Sequence, residues 1–340
     1  MTESLVTRAK RAAKVLLNDP PSVGAVPSIS SEEIEEVRAF FPREKFFIFG
    51  HPRSGTTLLA RLIRLHPDVY CSWQAHFFTR APLLSSLISD PLVREWLSRR
   101  DNRWSRGRDL SPVVLRVVAD FVLEREAAAH NARIVGDKSP DGLSRGDAVL
   151  NLAKVYPDCR LLAIVRDPRD TLVSLRFQAF LDAPQTLTRE DLRIREEFRT
   201  DPTPHLARKN SIFTEHGLRK ACLRWVDSVR ETRRLGTEIY GERFLQVRFE
   251  DLLEDPLGLM KQVWSFLDAD ASSQQLEISI RNEIGSNPDA EWQNEKDESI
   301  AKWLPKGQTG GWRQFFTERD EQIVNEIVGS ELAQLGYLEA

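Results

Sequence analysis

A chain of 340 residues with 41% hydrophobic and 29% charged side chains has the composition of an ordinary globular protein, which excludes disorder for most of its length. Its formal net charge of −3 gives no global attraction for nucleic acid or an anionic membrane, so an anion must be held by local Arg, Lys and backbone amides. Three cysteines, Cys71, Cys159 and Cys222, without CxxC spacing argue against a disulfide framework or structural zinc and for a reducing compartment, the cytoplasm.

Basic residues interrupt every apolar run near the N-terminus, so neither a signal-peptide core nor a transmembrane segment is expected there. Residues 4–17 have the pattern of a basic amphipathic helix, for which docking on the protein's own surface is favoured over peripheral membrane contact. Pro, Ser and Gly mark residues 18–30 as a linker, so residues 1–30 form an arm and a single domain is expected over 31–340, opening at Ser31-Glu32-Glu33. The apolar run 45–50 (KFFIFG) reads as a strand, and 57–65 (TLLARLIRL) as the helix after it. The pattern recurs: Ile134-Val135 enters GDKSP, a helix follows over 144–156, and 159–165 (CRLLAIV) is a fully buried strand. A further strand is expected at 244–249 (FLQVRF). Strands alternating with helices predict an α/β fold, a P-loop-like doubly wound parallel sheet with ligands at the carboxyl ends of its strands. The stretches 77–130 and 177–238 repeat apolar residues at helical spacing and are expected to be helical insertions walling an acceptor pocket.

The segment Gly50–Thr57 (GHPRSGTT) has the glycine spacing of a phosphate-binding loop, with backbone amides and a helix N-terminus available to an anion. Thr56, however, stands where a Walker loop carries its lysine, and the loop's one formally cationic side chain is Arg53. ATP chemistry is therefore disfavoured.

The PRSGTTLL sequence after an apolar strand resembles the 5′-phosphosulfate loop of sulfotransferases that use 3′-phosphoadenosine-5′-phosphosulfate (PAPS). The resemblance implies that Arg53, Ser54, Gly55, Thr56, Thr57 and Leu58 hold the donor's 5′-phosphosulfate. The segment 165–174 (VRDPRDTLVS) is similar to that family's 3′-phosphate motif, implying that Arg166 and Ser174 grip the 3′-phosphate. A third stretch, 306–317 (KGQTGGWRQFFT), resembles the family's C-terminal motif and implies that Lys306, Gly307 and Gln308 cover the same phosphate; Pro305 and Gly311 depart from it, replacing an arginine and an acid. The segment 246–252 (QVRFEDL) is similar to a strand end of the family, which implies a structural role for the segment and a place near the nucleotide for Arg248.

The implied reaction is in-line sulfuryl transfer from PAPS, releasing PAP, to a hydroxyl or amine, with no metal required. Arg53 and Lys138 are the cations expected to meet the charge that grows on the moving group. A base is also needed. The family's cytosolic members place a histidine where this chain has Pro140, and its tyrosylprotein members place a glutamate where it has Gln74. His76 is the leading candidate, with an unperturbed pKa suited to the work, and Asp137 is held in reserve. Two other readings remain open. A P-loop nucleotide kinase would want GK[ST] and an acidic magnesium ligand, and a PAPS-binding module without catalysis rests on Gln74. Small-molecule, glycan, lipid and peptidyl acceptors are all compatible with the sequence, and it carries no sign of oligomeric state.

Overall fold

The run Glu44–Phe49 (β1) alternates its side chains between two apolar layers: Phe47 and Phe49 join one core cluster, Phe46 and Ile48 another. A strand apolar on both faces belongs in the middle of a parallel sheet covered on each side. The computed structural model, which describes residues 26–99, 101, 103, 105–272, 274–286, 298–304 and 307–338, has this arrangement. Its five-stranded sheet runs β2-β3-β1-β4-β5, with β2 Val69–Trp73, β3 Ile134–Lys138, β4 Arg160–Val165 and β5 Phe244–Arg248, and every pairing is parallel. Phe47 lies opposite both Asp137 and Leu161, a register that brings the ends of β1, β3 and β4 to one edge.

The helices Thr56–Ile63, Pro256–Phe266 and Gln274–Ser286 cover one face, and Ser111–Ala129, Asp147–Val155 and the end of Glu215–Tyr240 cover the other. A third cluster, centred on Phe177, Trp225 and Phe315, packs the helices Pro168–Asp182, Glu215–Tyr240 and Glu318–Gln334 together. The doubly wound fold is thus present, and four of its strands sit where the apolar runs predict them. The helix expected over 144–156 is the shorter Asp147–Val155.

Two differences stand out. Val69–Trp73 is a strand that the sequence pattern does not announce. It is an edge strand of five residues whose inner half alone is buried, too short to show a period. Second, Ile29, inside the expected linker, is 5% exposed and donates its amide to the Lys154 carbonyl, ahead of a capping box formed by Ser30 and Glu33. Residues 4–17, with their expected surface or membrane contact, lie outside the described residues. Both expected insertions are largely helical, through Pro91–Ser98, Ser111–Ala129, Arg189–Thr200 and Glu215–Tyr240. Among the described residues no helix is long and apolar enough to cross a membrane.

Below the sheet's other end, Lys45, Arg116, Asp120 and Glu124 form a buried ionic cluster. Arg116 grips Asp158 with two parallel bonds of 2.6 and 2.8 Å. These charges are consumed by one another, far along the strands from the ligand edge.

Candidate functional site

At the carboxyl edge, β1 ends and the chain turns through Arg53 (φ +72°) and Gly55 (φ +90°) into the helix Thr56–Ile63. The left-handed turn at 55 demands glycine twice over, since a Cβ there would sit 2.2 Å from the Phe249 ring. Gly55 caps the helix without a side-chain acceptor, so the first-turn amides remain available to an anion. Above the turn lies a cleft of about 830 Å³, and its lining draws on the segments that follow all five strands.

The sequence-predicted donor residues largely converge there. Arg53, Gly55, Thr56, Thr57, Leu58, Arg166, Ser174 and Gly307 line the cleft, while Ser54 is fully buried beneath it. Arg53 Nε donates to Ser174 Oγ at 3.0 Å. Arg166 is 4% exposed, rests 4.7 Å from the centroid of Phe249, and donates to the carbonyls of Arg53 (3.2 Å) and Gln308 (2.8 Å). Its Nε is buried with no hydrogen-bond partner among the described residues. Burial pushes the Arg166 pKa down, opposed by the nearby carboxylates of Asp170, Glu250 and Asp167. Gln308 contributes its carbonyl to Arg166. Lys306 lies outside the described residues.

What anchors the Gly307 loop is a residue the sequence reading passed over. Asp170, within the same RDPRD segment as Arg166 and fully buried, accepts from the Gly310 amide (2.7 Å) and the Trp312 amide (2.9 Å). Arg169 stacks on Trp312 at 4.3 Å. The motif after β4 therefore both supplies Arg166 and ties the C-terminal loop down over it.

On the β2–β3 side, Lys138 is fully buried, with Nζ donating to Thr57 Oγ1 at 3.2 Å and lying 5.2 Å from the Trp73 ring. Gln74 and His76 line the cleft, and both occupy left-handed backbone at φ +51°. Asp137 explains how that conformation is held. Its Oδ1 accepts from the Ala75 amide (3.0 Å), its Oδ2 accepts from the Ser139 hydroxyl, and Ser139 Oγ in turn accepts from the His76 amide (2.9 Å). Burial raises the Asp137 pKa to about 6 against these bonds, and the side chain is 1% exposed and absent from the cleft lining. The imidazole of His76 meets Thr79 Oγ1 through Nδ1 at 2.9 Å. Its pKa is lowered by burial and then by Arg80 and Lys138, which favours the neutral ring.

Cleft residues that no motif signalled are Arg61, Arg80, Gln178, Arg224, Leu253, Glu283 and Ile284. Phe249 and Arg61 lie inside segments that read only as a strand end and a helix; Arg224 and Gln178 come from long helices, where nothing local distinguishes a cleft-facing residue.

A profile of the sulfotransferase family matches residues 45–273. Among curated proteins, a protein-tyrosine sulfotransferase of Drosophila melanogaster is 26% identical over 225 residues, covering 65% of this chain and 37% of that protein. The nodulation protein NoeE of Sinorhizobium fredii is 33% identical over 144 residues, 38% of this chain and 30% of that protein. The chain therefore spans well under two thirds of the length of these relatives. Among solved structures, mouse sulfotransferase SULT7A1 complexed with PAP is similar at a TM-score of 0.47 and 19% identity, over 91% of this chain and 92% of that one. The profile match covers more than half of the chain and takes in every strand end that lines the cleft, leaving outside it only the Gly307 loop and part of one wall, and on that match this chain belongs to the sulfotransferase family.

Proposed function

We propose that this chain transfers a sulfuryl group from PAPS to an acceptor hydroxyl or amine. The observation that carries the reading is Arg166: a buried guanidinium whose Nε has no partner among the described residues, in a cleft it shares with a glycine-turned anion loop. A phosphate reaching that guanidinium would satisfy the donor, and the 3′-phosphate distinguishes PAPS from ATP-type donors. Ser174 and the amides near Gly307 complete this end of the site, to which the sequence motif alone assigns Lys306. Ser54 and Gly55–Leu58 hold the 5′-phosphate.

In the reaction the acceptor oxygen or nitrogen attacks sulfur, the bond from sulfur to the phosphate oxygen of PAP breaks, and the acceptor's proton passes to His76. Arg53 and Lys138 meet the charge growing on the leaving oxygen and the sulfuryl oxygens. His76 suits the proton because its surroundings favour the neutral ring and it lines the cleft. Asp137 fits a positioning role, holding the His76 backbone through Ser139. The kinase reading wants a lysine where this chain has Thr56. The three cysteines are free and buried, which fits work in the reducing cytoplasm. Transfer of radiolabelled sulfate from PAPS to a panel of hydroxyl and amine acceptors, with and without EDTA, tests the reading. Transfer that survives chelation supports it, and a phosphoryl product from ATP with strict magnesium dependence overturns it.

A further inference from the structure

The helix Pro91–Ser98 is amphipathic, yet the protein buries only part of its apolar arc. At about 100° per residue, Leu92, Trp96, Val93 and Leu97 follow one another over about 140° of the helix circumference. Leu97, at one end of that arc, is buried, whereas Leu92 and Trp96, at the other, are 62% and 53% exposed. The preceding turn Leu84–Ile88 repeats the pattern: Leu84 and Ile88 are buried and Leu87 is 58% exposed. The helix Ser111–Ala129 packs against both, and its Val118 and Phe121 add further uncovered apolar side chains. Apolar side chains grouped in this way on a surface mark a contact.

The charge beside this face is of one sign. Residues 94–108 (REWLSRRDNRWSRGR) hold six arginines against two acids, Glu95 and Asp101, in a chain whose net charge is −3. Arg99 follows Leu92 around the helix and pairs only with Glu95 of the same exposed turn. Arg103 and Arg106 are exposed and have no acidic partner among the described residues. Their turn is tied to the helix end, where the Ser105 hydroxyl meets the Arg99 carbonyl at 3.5 Å and the Leu110 amide donates to the Leu97 carbonyl at 3.2 Å. Leu110 caps the helix Ser111–Ala129, whose far end leads into the start of β3, so Leu110 lies toward the carboxyl edge of the sheet. The apolar and basic face therefore stands on the same side of the molecule as the cleft.

We propose that this face docks the protein on an anionic lipid bilayer, with Leu87, Leu92 and Trp96 entering the headgroup region and Arg99, Arg103 and Arg106 meeting lipid phosphates. Leucine and tryptophan tips bordered by arginines are the composition that an interfacial helix uses. The charge sets the orientation, because the remainder of the chain is net negative and is repelled by the same surface. A second copy of the chain fits less well, since a two-fold contact through this face would bring two arginine clusters together. The proposal stands apart from the sulfuryl-transfer reading, and its test reads no activity.

Flotation of the full chain with vesicles of phosphatidylcholine, and of phosphatidylcholine mixed with phosphatidylglycerol, tests it. Binding is expected on the mixed vesicles alone and should weaken with salt. The double variant Leu87→Ser, Leu92→Ser should lower the partition coefficient about tenfold or more, the scale of withdrawing two leucines from an apolar medium. Arg103→Ser and Arg106→Ser should each lower it about fivefold. All four side chains are exposed, so the variants are expected to fold, and a thermal melt checks this. Each variant keeps residues 1–30, so binding carried by residues 4–17 would survive the substitutions. The proposal is overturned if the wild type does not float with the mixed vesicles, if it floats equally with neutral ones, or if either set of variants binds undiminished. It is also overturned if sedimentation shows a dimer that the leucine substitutions dissociate while vesicle binding is absent, because the face would then join two copies of the chain.

Discussion

Arg166→Met is the sharpest test of the donor site, because methionine keeps an unbranched stem while removing a guanidinium that is 4% exposed and has one donor unpartnered. Two of its five N–H donors are spent on the Arg53 and Gln308 carbonyls, so the phosphate can gain the Nε–H, which has no partner among the described residues, a remaining N–H on each terminal nitrogen, and the net charge. A charge-assisted hydrogen bond is worth about 1.5–3 kcal/mol. At about 1.4 kcal/mol per tenfold, PAP should bind about 10–150-fold more weakly to the variant. 5′-AMP, which lacks the 3′-phosphate, should bind the two proteins alike. Arg166→Lys should fall between, since an ammonium keeps the charge but not the planar fork. Isothermal titration of PAP and AMP against all three proteins, with a thermal melt to establish folding, reads the result. If wild type binds AMP as tightly as PAP, or if the variant loses both equally, Arg166 serves only to hold the Gln308 carbonyl and the 3′-phosphate assignment is wrong.

His76→Ala should lower kcat by about 10²–10⁴ while PAP affinity is nearly unchanged. The base works only when neutral, so activity falls as pH drops through its pKa; because burial, Arg80 and Lys138 depress that pKa, the acidic limb of the wild-type profile should lie below the ordinary histidine value of 6.5 and move up in Arg80→Gln. Asp170→Asn should weaken PAP by about 1–3 kcal/mol, because the amide keeps one accepting oxygen and its nitrogen cannot accept, leaving either the Gly310 or the Trp312 amide without its partner. Calorimetry of that variant should show a smaller loss for AMP. Asp137→Asn should lower activity while leaving the acidic limb where it is, as a positioning residue would; a limb that disappears in this variant while persisting in His76→Ala would transfer the base role to Asp137.

The sheet was readable where strands are apolar on both faces. The runs 45–50 and 159–165 admit no other environment, since each residue from Phe46 to Phe49 and from Leu161 to Val165 is buried. Val69–Trp73 escaped because an edge strand with a half-exposed end carries neither a continuous apolar run nor a clean alternation. The convergence of Arg53, Arg166 and Ser174 on one cleft was readable for a related reason: in a doubly wound sheet, residues just past a strand end must reach the ligand edge, so short motifs in sequence become neighbours in space. The helical wall of the cleft has no such shortcut. Arg224 and Gln178 arrive from helix interiors, and whether a helical position faces a cleft depends on how that helix packs on others.

The pair Asp137 and His76 shows why residue type alone could not settle the proton's destination. Both are ionisable groups shifted by their surroundings, Asp137 raised to about 6 by burial and His76 lowered below the usual histidine value. What separates them is connectivity. The Asp137 carboxylate is 1% exposed and already accepts from the Ala75 amide and the Ser139 hydroxyl, so protonating it would disturb the bonds that hold residues 74–76 in place. His76 uses Nδ1 on Thr79, and its other ring nitrogen can change protonation without unbuilding the loop. The left-handed backbone at Gln74 and His76 costs about 1–3 kcal/mol per residue, a strain that Asp137 and Ser139 offset. On the proposed reading, the carboxylate keeps an imidazole at the cleft. On this account Gln74, standing where related enzymes carry an acid, marks a proton acceptor moved two residues along the same loop rather than one lost.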